Sequence, residues 1–478
     1  MANLLSSYKH LKSLHLVDTG LDCETLLKVG EGIKKCPSLE FLDLRHNVFD
    51  SDGFAGLISA LKVNMSIKHL YLESMPIDLS EAKMLGAFFQ RNDCMIEELE
   101  LNEADLDIEI LDEIMESLYK ADHLRRLSLA KNYLSVNICQ HLSKMPKMLH
   151  KFEMLCLSHC NFGDEALETL CSGFYGKTTV KYLDFSWNNI QSKGMKHILK
   201  MLADNKTLEK LYIQHNNLGE DGAKQMVRAL NLHPLMQYLD ISANQIGSKG
   251  FMYFTELFSN NDPLRNLHVR KNGIKGDEIR DFPPSLRDNS NLFYLDMQDN
   301  DLDNDCATKL IDLLHDNYFI EDLVIEGNNH INHTNKETIY QECRKNLLIK
   351  EFILPHLNDG ENKLQTDKRR PTKTESHFKN YNVEKLKLED MSFFRSDFIA
   401  KFIDMNRNDF HSLHLKKVHF DEHIKDLAEF MKNVEVKIES IIIEECDIGQ
   451  SSLCVMIEDC KSITTLKELH LINMGLDK

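Results

Sequence analysis

The chain has 478 residues, of which 75 are acidic and 57 basic, for a formal charge of −18 at neutral pH. That balance excludes a general nucleic-acid binder, which needs net positive charge to meet phosphates, and suits a basic protein partner or a well-solvated surface. No apolar run of about 20 residues is present, so no membrane span is expected.

The first residues, Met1 to Lys9, lack the charged and apolar regions of a signal peptide. The 12 cysteines form no C-x-x-C pair and no paired framework. They read as reduced, buried thiols in a cytoplasmic protein.

From the N-terminus onward one pattern recurs: apolar-x-x-apolar-x-apolar-x-x-Asn-x-apolar. Its first positions are Leu11, Leu39, Ile67, Ile96, Leu124, Phe152, Val180, Leu208, Met236, Leu264, Leu292 and Ile320, spaced by 28 residues except for one step of 29. A weaker copy starts at Ile349, and four more start at Val383, Phe410, Ile438 and Leu466. Alternation at positions four and six predicts a short strand. A helix follows about a dozen residues later, as where Ala223, Met226, Val227 and Leu230 share one helical face. Ser51-Asp52-Gly53, Glu220-Asp221-Gly222 and Ser248-Lys249-Gly250 place a short side-chain oxygen where helix N-caps are expected.

One such unit cannot bury its apolar face, but a stack can. The expected fold is therefore an α/β solenoid of about 17 repeats, with parallel strands on a concave face and helices on the convex face. The ninth position holds Asn47, Asn132, Asn188, Asn216, Asn244, Asn272, Asn300 and Asn328, suited to pair backbone groups in the turns. Elsewhere it holds Thr19, Met75, Ala104, Cys160, Met391, Val418, Cys446 and Met474.

The rhythm divides the chain into an array over residues 1–357, an irregular basic insert over 358–382 that includes Lys368 to Lys373, and degenerate repeats over 383–478. The last strand stands without a following helix, which predicts an uncovered sheet edge unless the chain continues or a partner covers it.

Positions three, five, seven and eight face the concave side. Tyr182, Tyr238 and Tyr294 recur at position three, and Asp184, Asp240 and Asp296 at position five, each set spaced by 56 residues. Phe41 with Asp43 is the same pair upstream. Tyr212 and His268 fill position five in the intervening units, the single tryptophan Trp187 sits at position eight, and Arg270 and Lys271 lie further along. Aromatic rings with regularly spaced carboxylates have the makeup of an interface. The same residues also suit exposed strand positions inherited by duplication of a two-repeat unit. Glu73, Glu98, Glu100, Asn102 and Glu103 add an acidic patch that suits a basic segment.

Catalytic signatures are missing: there is no His-Glu-x-x-His, phosphate loop, Gly-x-Ser-x-Gly or Gly-x-Gly-x-x-Gly. His159 beside Cys160, and His411 near His414, lack third and fourth ligands at useful spacing. Neither a metal nor a cofactor is expected.

The run Asn216-Asn217-Leu218-Gly219-Glu220-Asp221-Gly222-Ala223 after Leu211-Tyr212-Ile213, and the run Leu239-Asp240-Ile241-Ser242-Ala243-Asn244-Gln245-Ile246-Gly247, resemble the ribonuclease-inhibitor-like leucine-rich repeat family. The resemblance covers residues 5–357 strongly and 381–478 weakly, and implies a horseshoe-shaped leucine-rich repeat solenoid. Relatives of this kind include ribonuclease inhibitor, sensor arrays of nucleotide-binding immune receptors, Ran GTPase-activating proteins, tropomodulin-like actin regulators and leucine-rich subunits of ciliary complexes. The resemblance implies a non-catalytic scaffold that grips a protein partner, as part of a larger cytoskeletal or ciliary assembly. A GTPase-activating or enzyme-inhibiting regulator, acting through a rim residue such as Arg45 or Arg270, is an alternative. A delivered effector array is another.

Overall fold

The computed structural model describes residues 10–352, apart from 177, 260–262, 280, 281, 288 and 318, together with residues 385–389, 412–416, 438–446 and 465–472. The strands in chain order are β1 (Ser13–Val17), β2 (Phe41–Asp43), β3 (His69–Tyr71), β4 (Glu98–Glu100), β5 (Arg126–Ser128), β6 (Met154–Cys156), β7 (Tyr182–Asp184) and β8 (Lys210–Tyr212). They continue as β9 (Tyr238–Asp240), β10 (Asn266–His268), β11 (Tyr294–Asp296), β12 (Asp322–Val324), β13 (Lys385–Glu389), β14 (Ser412–Lys416), β15 (Ser440–Glu444) and β16 (Glu468–Ile472). A helix, in places short or broken, follows each of β1 to β12. The copy expected at Ile349 begins inside the helix His333–Phe352. The insert over 358–382 lies outside the described residues.

The chain folds as two compact units, Arg125–Thr366 and Met1–Leu124 with Asp367–Lys478. In the first, β5 to β12 form a parallel sheet in sequence order. In the second, the order is β13-β14-β15-β16-β1-β2-β3-β4. The uncovered edge expected at the last strand is therefore not found. β16 lies between β15 and β1, with Ser13, His15 and Val17 in register with Glu468, His470 and Ile472. The Lys467 carbonyl accepts the N–H of both Lys12 and Ser13 at 3.1 Å.

The repeat pattern explains each layer. Side chains at positions four and six point under the sheet: Leu42, Leu44, Leu70, Leu72, Leu183 and Leu211 are at most 1% exposed. Their helix partners, such as Met226 and Leu230, close the layer from the other side. The ninth-position asparagines stitch successive turns. Asn216 donates Nδ2 to the carbonyls of Phe185 and Ile213 at 3.0 and 2.9 Å, and its Oδ1 accepts the N–H of Asn188 and Ile190 at 3.0 and 2.9 Å. Cys160 replaces the amide with a thiol that donates to the Leu129 carbonyl at 3.2 Å.

A second set of asparagines lies at the far end of some of the helices. Asn64, Asn205, Asn289 and Asn317 are buried and each donates Nδ2 to the carbonyl that ends the preceding helical segment, as Asn205 does to Phe174 at 3.1 Å. His233 occupies the equivalent place in its own repeat, and burial pushes its imidazole down to about 4.

The helix starts correct three expectations. Asp22, Asp50, Asp78, Asp107 and Asp303 cap their helices by accepting the N–H three residues on. Asp50 thus caps the helix Ser51–Val63, and Ser51-Asp52-Gly53 lies inside its first turn. The helices Gly219–Asn231 and Gly247–Met252 carry no side-chain cap. There Gly219 and Gly247, with φ of +61° and +64°, turn the chain and donate to the carbonyls of Asn244 and Asn272. A left-handed residue without a Cβ does the work of a cap.

Candidate protein-binding face

In the unit 125–366, strand register sets two rows on the open face of the sheet. One row reads Tyr182, Lys210, Tyr238, Asn266, Tyr294, and the other Asp184, Tyr212, Asp240, His268, Asp296. Each ring in the second row therefore has a carboxylate directly on either side, and its ring neighbours lie on the diagonal. The rings lean across to meet. Centroids are 4.8 Å apart for Tyr182–Tyr212, 4.6 Å for Tyr212–Tyr238, 5.0 Å for Tyr238–His268 and 4.8 Å for His268–Tyr294. Such pairs are worth about 0.5–1.5 kcal/mol each beyond area burial. Burial pushes the Tyr182, Tyr212, Tyr238 and Tyr294 hydroxyls up, so they stay protonated and able to donate.

The aspartates serve the strand ends with one oxygen. Asp184 Oδ1 accepts from the N–H and Oγ of Ser186 at 2.9 and 2.6 Å. Asp240 Oδ1 accepts the N–H of Ser242, and Asp296 Oδ1 that of Gln298, both at 2.9 Å. Their second oxygens differ. Asp296 Oδ2 lies 3.4 Å from His268 Nδ1, whereas Asp184 Oδ2 meets the Cys156 thiol at 3.6 Å. Burial pushes the Asp240 carboxyl up, against the pull of Ser242 and His268.

Trp187 stands apart from this ladder, at the strand ends. Its ring is 45% exposed and stacks between His159, at 4.5 Å, and His215, at 3.6 Å. Position eight is left-handed in repeat after repeat, with φ between 51° and 60° at Lys131, His159, Trp187, His215, Ala243, Lys271 and Asp299. Bulky residues adopt that conformation at a cost, which the asparagine ladder beside it offsets. His159 is thus committed to a ring stack and Cys160 to a carbonyl, and neither pairs with the other as a metal site. Among the described residues no group of three His, Cys, Asp or Glu side chains converges. Arg270 is exposed, with Nε and Nη2 on Asp299 Oδ2 at 2.8 and 2.6 Å.

The unit that contains β1 to β4 has a more ionic open face. Phe41 packs 4.6 Å from His15, 5.5 Å from His69 and edge-on to Tyr71 at 4.7 Å. Arg45 grips Asp43 with Nε and Nη2 at 2.9 and 2.8 Å, and its guanidinium lies 5.4 Å from the Tyr71 ring centre. The same guanidinium is 3.6 Å from Glu73 and 3.9 Å from Glu100. Burial pushes Glu100 up to about 7, although Arg45 draws it down. His69 Nδ1 meets Glu98 at 2.8 Å, and Ser74 Oγ donates to Glu103 at 3.2 Å. The acidic residues singled out by sequence are thus interleaved with His15, His69 and Tyr71. Position-five and position-three alignment would have revealed these residues, as it did Tyr182 and Asp184.

A leucine-rich repeat family model matches residues 35–57, 176–199, 204–227 and 233–254. The chain is 26% identical over 200 residues to NACHT, LRR and PYD domains-containing protein 9C of Mus musculus, covering 41% of this chain and 20% of that protein. It is 24% identical over 217 residues to the ribonuclease inhibitor of Sus scrofa, covering 45% of this chain and 47% of the inhibitor. A solved internalin from Listeria monocytogenes aligns with a TM-score of 0.41 and 19% identity, covering 72% of this chain and 87% of that one. The chain spans less than half the length of these two curated relatives. Among the described residues no helix is long and apolar enough to cross a membrane. Repeats of this kind generally build protein-interaction scaffolds, not catalytic sites. The chain carries leucine-rich repeats similar to those of ribonuclease inhibitor, folded as parallel strands backed by helices.

Proposed function

We propose that the chain is a non-catalytic scaffold that binds a protein partner on the open, concave face of residues 125–366. The observation that carries this reading is the five-ring ladder from Tyr182 to Tyr294, continuous over five strands of the sheet. Pre-stacked rings lose little rotamer freedom on binding, and aromatic residues dominate interface hot spots. Trp187, stacked and nearly half exposed at the rim, extends the same surface.

The test is capture of partners from the native source by the wild-type chain and by a variant with Tyr182, Trp187, Tyr238 and Tyr294 changed to Ala, with folding checked by circular dichroism. Loss of one stoichiometric partner supports the reading. An unchanged partner set would move the interface to the helices.

In its more specific form the proposal makes the chain a structural subunit of a cytoplasmic assembly of cytoskeletal or ciliary type. The family resemblance supports this, as do the ten free thiols among the described cysteines. Localisation of the tagged chain to a filament or axoneme tests it, and a diffuse distribution counts against it.

A further inference from the structure

The unit that contains β1 to β4 shows how this fold satisfies an aspartate at position five. Asp43 takes four hydrogen-bonding contacts, from the Arg45 N–H at 3.2 Å, Arg45 Nε at 2.9 Å, Arg45 Nη2 at 2.8 Å and His15 Nδ1 at 3.1 Å. The arginine comes from position seven of the same repeat, and the histidine from position five of the repeat before.

Asp184 and Asp240 hold the same place in their repeats, with the same contact from the position-seven N–H. Their position seven, however, is Ser186 and Ser242, whose side chains end at Oγ. Position five of the preceding repeats offers a thiol, Cys156, and a phenol, Tyr212. Among the described residues no cation reaches either carboxylate as Arg45 reaches Asp43. Among the described residues Asp184 Oδ2 has the weak thiol contact alone, and Asp240 is hydrogen-bonded by Ser242, with the neighbouring His268 acting on it through charge and not through a hydrogen bond. The two carboxylates lie two strands apart, roughly 10 Å, on the face that carries the ring ladder.

We propose that the partner supplies the missing cations: a basic segment whose arginine side chains donate to Asp184 and Asp240 from between the rings. This rests on the concave-face reading and gives its partner a chemistry. Guanidinium is the group the fold itself uses at Asp43, and its fork can bond a carboxylate oxygen while keeping further donors for neighbouring hydroxyls. The net charge of −18 favours approach of such a segment.

The test places an arginine in cis. Ser186→Arg with Ser242→Arg reproduces the Asp43–Arg45 arrangement and fills both sites without removing a ring. A control with Ser172→Arg and Thr308→Arg, at exposed helix positions, makes the same change in charge. The probe is a labelled tetra-arginine peptide, titrated against the full-length wild-type chain and both variants, with the neutral tetra-citrulline peptide as comparison. The expected result is about a tenfold weaker affinity for tetra-arginine in the Ser186/Ser242 variant than in the control, and little binding of tetra-citrulline by any chain. Equal affinities of the two variants would overturn the proposal, since binding would then follow net charge alone. Retention of the captured native partner by the Ser186/Ser242 variant, together with its loss in the ring variant, would overturn the arginine assignment while leaving the concave interface standing.

Discussion

His470 stacks on His15 with ring centroids 3.4 Å apart and planes 17° from parallel. A residue near the end of the chain thus sits against one near its beginning, and the pairing of β16 with β1 is what brings them together. Burial pushes His15 down despite its bond to Asp43, so the stack is held as a neutral imidazole on that side.

That pairing is open to a covalent check. Ser13 and Glu468 are direct partners in the parallel register, within the Cα separation that a disulfide spans. Ser13→Cys with Glu468→Cys is expected to form a bond under mild oxidation, detected as a linked peptide by mass spectrometry. Two thiols that each react with a maleimide but never link would contradict the strand order.

His233 gives a pH dependence whose sign is fixed. Its folded value of about 4 lies below the ordinary imidazole value of 6.5, so the unfolded state binds more protons between those limits. Stability is full above about pH 6.5 and falls as the pH drops toward 4, by about 2 kcal/mol at pH 5. His233→Asn places the amide that Asn205 and Asn289 use in the equivalent position. It is expected to leave stability near neutral pH little changed and to flatten this acid loss, read from urea unfolding at pH 7.5 and pH 5. An unaltered pH profile would contradict the assignment.

Glu100 behaves in the opposite sense. Its carboxyl is raised to about 7 from 4.5, so the ionised form opposes folding above pH 7 and not below 4.5. Glu100→Gln is expected to raise stability by about 1–3 kcal/mol at pH 8 and to change it little at pH 4. Thermal melts at the two pH values read the difference.

Asn216→Ala tests the ladder. It unpairs the Phe185 carbonyl and the N–H groups of Asn188 and Ile190 at once, while the Ile213 carbonyl keeps Asn244 Nδ2, and each buried group left without a partner costs about 1–3 kcal/mol. A loss at or above that range is expected in chemical unfolding, whereas a change below about 0.5 kcal/mol would show that water replaces the amide.

The ladder was legible because its period is the repeat's own: a conspicuous Asn every 28 residues announces both the turn and its hydrogen bonds. Asn205, Asn289 and Asn317 follow the same period but lie before the first position of the pattern, where helix ends vary and His233 breaks the run. Caps were misplaced by one residue at Asp50, and at Gly219 and Gly247 backbone conformation replaces side-chain chemistry that spacing can show. The rows of Tyr182 and Asp184 could be read from alternation, but the diagonal ring contacts depend on side-chain lean. Nothing in a local pattern announces that β16 pairs with β1, because strands of equal period fit one another equally well.

The most direct measurement of the concave-face account is a cross-linking map of the native complex using a lysine-reactive reagent. The open-face lysine Lys210 lies in the row of Tyr182 and Tyr238, and Lys271 lies three repeats along the position-eight row from Trp187, whereas Lys196 and Lys224 lie on helices. The account predicts partner cross-links at Lys210 and Lys271 that disappear in the ring variant. Cross-links confined to Lys196 and Lys224, and unchanged in that variant, would contradict it.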